Sequence, residues 1–241
     1  MFKGKKVIIF DMDGTLIDSI GIWNKVDIEL IKELGYLEDI PEEEIQEQRD
    51  NKLKEFSTLE NPYISYCQFL SSKYGSNLTG EETLKKRFEI AKNYLKNEID
   101  YKKDAPKLLK LLKEARYTLV IASTTRKNSI EIYCKENRNI INNANLKDYF
   151  SIIYTREDAK EIKPNPEIYF RILTELNVKK EECLIFEDSL VGVEAANNAG
   201  IDVVAMYDKY SDLDRDEINK KATYTFNNYM EVIQVLLKEK I

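Results

Sequence analysis

The chain has 241 residues, 43% hydrophobic and 33% charged, with only 8 Gly and 5 Pro; this excludes a disordered or collagen-like polypeptide and suits one large domain or a core with an insertion. A net charge of -6 gives no reason to expect nucleic acid, and no apolar run reaches the length of a signal peptide or membrane span, so a cytoplasmic protein is expected. Histidine is absent, which removes His-based serine triads and zinc sites, and Cys67, Cys134 and Cys183 lack the spacing of a disulfide framework.

Val7-Ile8-Ile9-Phe10 reads as a buried strand, and it ends in Asp11-Met12-Asp13-Gly14-Thr15. Two acids at such a tip project into the crevice beyond the carboxyl edge of a parallel sheet, where open α/β folds bind ligands. The same residues also make an ordinary polar turn. A calcium loop of the EF-hand kind is rejected, because Thr15, Leu16 and Ile22 stand where an Asp or Asn, a Gly and a Glu are required.

From roughly residue 18 to residue 100 only helical patterns occur. Trp23, Val26, Leu30 and Leu34 form a stripe ending at Gly35, and Thr79-Gly80-Glu81-Glu82 has capping-box spacing ahead of a helix towards Leu95. Glu42-Glu43-Glu44 marks a solvated face. A helical insertion directly after the first strand reads as a lid, with hinges near Leu16 to Ser19 and Glu98 to Lys103; a rigidly packed subdomain is the alternative.

After the insertion, short apolar runs alternate with helical periods. The runs are Leu119 to Ala122, Ile152 to Tyr154, Leu184 to Phe186 and Val203 to Met206. Leu108, Leu111, Leu112 and Ala115 share one helix face, and Ile168, Ile172, Leu173 and Leu176 another. This alternation predicts an α/β fold with a mostly parallel sheet and helices on both faces.

The strand ends carry polar residues. Ser123-Thr124-Thr125 opens a helix and offers hydroxyls and backbone N–H groups, either as a phosphate site or as a plain N-cap. Lys163 sits in a proline-bounded loop before a helix and would serve as a site lysine or a surface charge. Glu187-Asp188-Ser189 ends the run Leu184 to Phe186, followed by a small-residue helix closing at Gly200. One of these acids would serve as an N-cap. Four acids in one crevice would repel one another unless a cation sits among them, and hard oxygen ligands favour Mg²⁺.

Asp11-x-Asp13-Gly14-Thr15, Ser123, Lys163 and Glu187-Asp188, in that order at successive strand ends, resemble the four motifs of the haloacid dehalogenase superfamily. Asp18-Ser19 and Glu187-Asp188-Ser189-x-x-Gly192-Val193-x-Ala195-Ala196-x-x-Ala199-Gly200 resemble the branch of β-phosphoglucomutases and small-molecule phosphatases with a helical cap. The resemblance implies a Rossmann-like core over 1–17 and 101–241 and a cap over 18–100. It implies Asp11 as nucleophile, Asp13 as acid and base, Ser123, Thr124 and Lys163 as phosphate binders, and Mg²⁺ on Asp11, Asp13 through its carbonyl, Asp188 and Glu187.

A phosphatase of a small phosphorylated metabolite is the implied activity. Dehalogenases lack the second aspartate, which argues against that chemistry. Mutases of this branch carry a histidine early in the cap and a basic, glycine-containing loop, and neither is found in Glu44-Ile45-Gln46-Glu47-Gln48-Arg49-Asp50-Asn51-Lys52. A phosphosugar mutase is therefore the second reading and a catalytically silent binding protein the third. Arg49, Lys52 and Tyr63 are cap residues to consider as substrate contacts or as packing and surface groups. A monomer is expected, with a homodimer as the alternative, and neither membrane nor nucleic acid as partner.

Overall fold

The computed structural model describes residues 1–239, which cluster into two compact units, Met1–Asp18 with the residues from Ile99 onward, and Ser19–Glu98. In the first unit β1 (Val7–Phe10) is followed, after the second unit, by α5 (Ala105–Glu114), numbered after the four helices of that unit. Then come β2 (Thr118–Ala122), α6 (Lys127–Lys135), α7 (Arg138–Ala144), α8 (Leu146–Tyr149) and β3 (Ile152–Tyr154). The chain continues through α9 (Glu167–Glu175), β4 (Cys183–Glu187), α10 (Leu190–Ala199), β5 (Asp202–Met206), α11 (Arg215–Lys221), β6 (Tyr224–Phe226) and α12 (Tyr229–Glu239).

The six strands are parallel, in the order β3-β2-β1-β4-β5-β6. All four residues of β1 are buried, as a central strand covered on both faces requires, which is why its sequence is a continuous apolar run rather than an alternation. From β1 the chain builds outward first on the β2 side and then on the β4 side. The strand order therefore reverses at β1, the kind of switch point where open α/β sheets bind ligands. One face of the core packs Ile9, Val120, Ile185 and Val203 against Tyr169, Ile172, Val193 and Ala196. Small residues let α10 approach closely, and the helix ends at Gly200 in the left-handed region, φ +70°.

The helical unit holds α1 (Ile20–Glu33), α2 (Glu42–Glu55), α3 (Pro62–Lys73) and α4 (Gly80–Asn97). Gly35 follows α1 at φ +106°, and Thr79 and Glu82 form both bonds of a capping box at the start of α4. Leu30, Ile31, Leu34, Ile45, Tyr66 and Leu70 make its apolar core. Beside that core lies a buried ion cluster. The carboxylate of Asp27, wholly buried, accepts from Arg87 Nε (2.5 Å), Arg49 (3.2 Å) and the Tyr66 hydroxyl (3.2 Å).

The two connections to this unit pair with each other. The Asp18 N–H donates to the Asp100 carbonyl (3.0 Å) and the Lys102 N–H to that of Leu16 (2.8 Å). Among the described residues no helix is long and apolar enough to cross a membrane.

Candidate active site

Register assembles the site. Phe10 is level with Ile121 of β2 and Phe186 of β4, so the next residue, Asp11, emerges between Ala122 and Glu187. Its N–H still donates to the Phe186 carbonyl (2.9 Å), which fixes the backbone at the moment the side chain leaves the sheet. The chain then turns sharply: the N–H groups of Leu16 and Ile17 both donate to the Met12 carbonyl. Gly14 takes φ +78° in this turn, and a Cβ there would collide with the Asp188 carboxylate, 2.8 Å from its Cγ. Glycine is required here by both backbone and neighbour.

Asp188 is buried and accepts from the Thr15 hydroxyl (2.6 Å), while the Tyr229 hydroxyl donates to the Thr15 carbonyl (2.9 Å). Lys163 reaches in from the loop before α9. Its Nζ donates to Asp11 Oδ1 (2.6 Å), Glu187 Oε1 (2.5 Å) and the Ala122 carbonyl (2.9 Å), which satisfies an ammonium's three donors. The Tyr169 hydroxyl adds a bond to Glu187 Oε1 (3.2 Å).

Three buried carboxylates thus face one buried ammonium. Burial pushes the Asp11 carboxyl up to about 8, with Lys163 opposing and Glu187 adding to the rise. Asp188 is held well above the usual carboxylate range, first by burial and then by the charges of Glu187 and Asp11. For Lys163 burial works against the charge, but Asp11 and Glu187 outweigh it and hold the ammonium well above its ordinary value. One carboxylate oxygen from each of Asp11, Glu187 and Asp188 lies within 4.8 Å of the others. An all-oxygen set with more negative than positive charge, out of water, suits a hard divalent cation.

The half-buried Asp13 meets the loop after β2. Thr125 Oγ1 donates to Asp13 Oδ2, and the Ser123 hydroxyl donates to Thr125 Oγ1 (2.8 Å) while accepting from the Thr125 N–H (3.0 Å). Ser123 and Thr125 are buried, and Thr124 is half-buried in the same turn. This run is not an N-cap: α6 starts at Lys127 with Arg126 as its flanking residue, because the Ser123 hydroxyl closes a turn of its own before the helix begins. At β4 the cap of α10 is Ser189, whose Oγ accepts from the Gly192 N–H (3.2 Å), so neither Glu187 nor Asp188 is spent on capping.

Asp11, Asp13, Ser123, Lys163, Glu187 and Asp188 are therefore linked by side-chain contacts or carboxylate proximity at one edge of the sheet. Arg49 points elsewhere: it is 6% exposed and its guanidinium is spent on Asp27 and Asn24 within the helical unit. Lys52 pairs with Glu55 (2.7 Å) and covers the Phe69 ring. Thr15, Thr125 and Tyr169 were not singled out from sequence. Thr15 and Thr125 stood inside motifs already noted, whereas Tyr169 reads as one more helix-face residue.

Residues 8–206 match the model of the haloacid dehalogenase-like hydrolases. The chain belongs to this family. Among curated relatives of this hydrolase, the phosphoglycolate phosphatase of Aquifex aeolicus is 30% identical over 204 residues, covering 81% of each chain. The phosphorylated carbohydrates phosphatase of Thermotoga maritima is 29% identical over 202 residues, covering 82% of each. Among solved structures, CbbY from Rhodobacter sphaeroides in complex with phosphate superposes with a TM-score of 0.74 at 23% identity, over 95% of this chain and 96% of that one; this likeness concerns the fold.

Proposed function

We propose that this hydrolase is a Mg²⁺-dependent phosphatase of a small phosphorylated metabolite, working through a phosphorylated Asp11. The observation that carries the reading is the buried set of Asp11, Lys163, Glu187 and Asp188 with Asp13 two residues on. Relatives named as phosphatases of phosphoglycolate and of phosphorylated carbohydrates support the substrate class.

In this reading Asp11 attacks phosphorus as the bond to the leaving oxygen breaks, and Asp13 gives that oxygen its proton. A carboxylate approaching a phosphate dianion meets strong repulsion, which Lys163 offsets from its position on Asp11. Ser123 and Thr124, with backbone N–H groups of their turn, hold the phosphoryl oxygens. Asp13 then takes a proton from the water that attacks phosphorus, and the Asp11 carboxylate is released. Mg²⁺, held by Asp11, Asp188 and the main-chain carbonyl of Asp13 with Glu187 close by, would supply further charge neutralisation between nucleophile and phosphate. Substrate choice is assigned to the helical unit, which supplies the cap, because the core residues engage only the phosphoryl group.

A panel of sugar phosphates, phosphoglycolate, polyol phosphates and nucleotides with Mg²⁺ tests the reading. Phosphate release from at least one, lost in a folded Asp11→Asn variant, is expected. An active Asp11→Asn variant would remove the nucleophile. Conversion of β-glucose 1-phosphate to glucose 6-phosphate without free phosphate would turn the assignment to a mutase.

A further inference from the structure

The bond between Thr125 and Asp13 runs from hydroxyl to carboxylate, because a carboxylate oxygen can only accept. The Thr125 proton goes to Asp13 Oδ2, so Thr125 Oγ1 accepts from the Ser123 hydroxyl, whose oxygen in turn accepts from the Thr125 N–H. Thr125 is 6% exposed and Ser123 1%, so little water competes for these bonds. A carboxyl group that accepts at Oδ2 carries its transferable proton on Oδ1.

We infer that Thr125 is a positioning residue for Asp13: it selects Oδ1 as the oxygen that delivers the proton to the leaving group and later receives one from water. The inference rests on the reading of Asp13 as acid and base given above. In the first step the P–O bond to the leaving group breaks, a bond from phosphorus to Asp11 forms, and the Oδ1 proton moves to the departing oxygen. In the second, water oxygen attacks phosphorus, its proton returns to Oδ1, and the electron pair of the cleaved bond goes back to Asp11. Thr125 contributes no proton to either step. Without its hydroxyl Asp13 Oδ2 loses the bond from Thr125, and the acid is misdirected while the nucleophile is untouched.

The test compares two aryl phosphates that differ in how much they need an acid. In a two-step mechanism kcat/KM reports only through departure of the leaving group. Phenolate is the poorer leaving group, and 4-nitrophenolate leaves with little help. The ratio of kcat/KM for 4-nitrophenyl phosphate to that for phenyl phosphate is measured in wild type, Thr125→Val, Thr125→Ser and Asp13→Ala, each with Mg²⁺. This ratio is independent of the fraction of folded enzyme, and Thr125→Ala replaces the valine variant if the latter does not fold.

A full acid contributes about 10²–10⁴-fold. The ratio is therefore expected to rise about tenfold or more in Thr125→Val, to rise further in Asp13→Ala, and to stay near wild type in Thr125→Ser. A ratio unchanged in Thr125→Val but raised in Asp13→Ala overturns the positioning role alone. A ratio unchanged in Asp13→Ala refutes the acid itself.

Discussion

Gly14→Ala perturbs the site at one atom, and the structure sets the size of the effect. The new Cβ would occupy space held by the carboxylate of Asp188, a buried side chain. Residue 14 would also carry a side chain at φ +78°, which costs an L-residue roughly 1–2 kcal/mol. Displacing Asp188 forfeits its bond from Thr15, and leaving a buried polar group unsatisfied costs about 1–3 kcal/mol. The lower chain entropy of alanine in the unfolded state returns about 0.4–1 kcal/mol. A net loss of about 2–4 kcal/mol follows, which for a chain of this length lowers Tm by about 5–15 °C.

Stability alone would not separate a damaged site from a damaged turn, so the decisive assay is a Mg²⁺ titration of phosphatase activity beside a thermal melt with and without Mg²⁺. In Gly14→Ala half-saturation is expected to move to higher Mg²⁺ and the rise in Tm on adding Mg²⁺ to shrink. Gly200→Ala is the control. Gly200 also has positive φ, +70°, but its Cβ would meet only the flexible end of Lys180, so that variant should lose stability and keep the wild-type Mg²⁺ response. A Gly14→Ala protein with wild-type half-saturation would show that Asp188 is no metal ligand.

Two further outcomes follow from the buried charges. Asp11 titrates near 8 in the folded protein against 3.8 ordinarily, a raised carboxyl, so without metal its contribution to stability is complete below 3.8 and lost as pH rises through about 8. Melts in EDTA across this range should show stability declining with pH, and Mg²⁺ should raise Tm more at the alkaline end; a Mg²⁺ effect largest in acid would contradict the cluster. Asp27→Asn in the helical unit removes the buried carboxylate that Arg49 and Arg87 share and should cost about 3–5 kcal/mol. Its Mg²⁺ half-saturation, measured below the new Tm, should equal that of wild type, and a shift would tie this cluster to the metal.

The central strands were legible because their sequences do one thing. Val7 to Phe10 is apolar without interruption, which only a strand buried on both faces explains in so short a run. The edge strand β6, Tyr224–Phe226, went unread for the opposite reason: three residues, none of them buried, carry no apolar run. Site residues were legible where a charge was out of place at a strand tip, as at Asp11, Asp13 and Asp188. Thr125 and Tyr169 gave no such signal. Threonine in a turn and tyrosine on an apolar helix face are ordinary; the pairing of β1 with β2 brings Thr125 to an acid more than 100 residues away, and the packing of α9 against β4 brings Tyr169 to one 18 residues away. For Arg49 the sequence left substrate contact, packing and surface roles open, and it is a packing group, because its partner Asp27 comes from another helix.

The arrangement of charges also explains why the site is built from the sheet rather than from a loop. Asp11, Asp188 and Glu187 each disfavour the others, and an isolated loop would relax by turning one of them into water. At the end of β1 and β4 that escape is closed: the Asp11 N–H is bonded to Phe186, Glu187 ends a fully buried strand, and Asp188 is buried against Gly14 and held by Thr15. Lys163, itself 7% exposed, offsets part of the repulsion and holds Asp11 and Glu187 in fixed orientation. A divalent cation or an approaching phosphoryl group with its cation therefore meets ligands already in place, and binding need not spend free energy on ordering them.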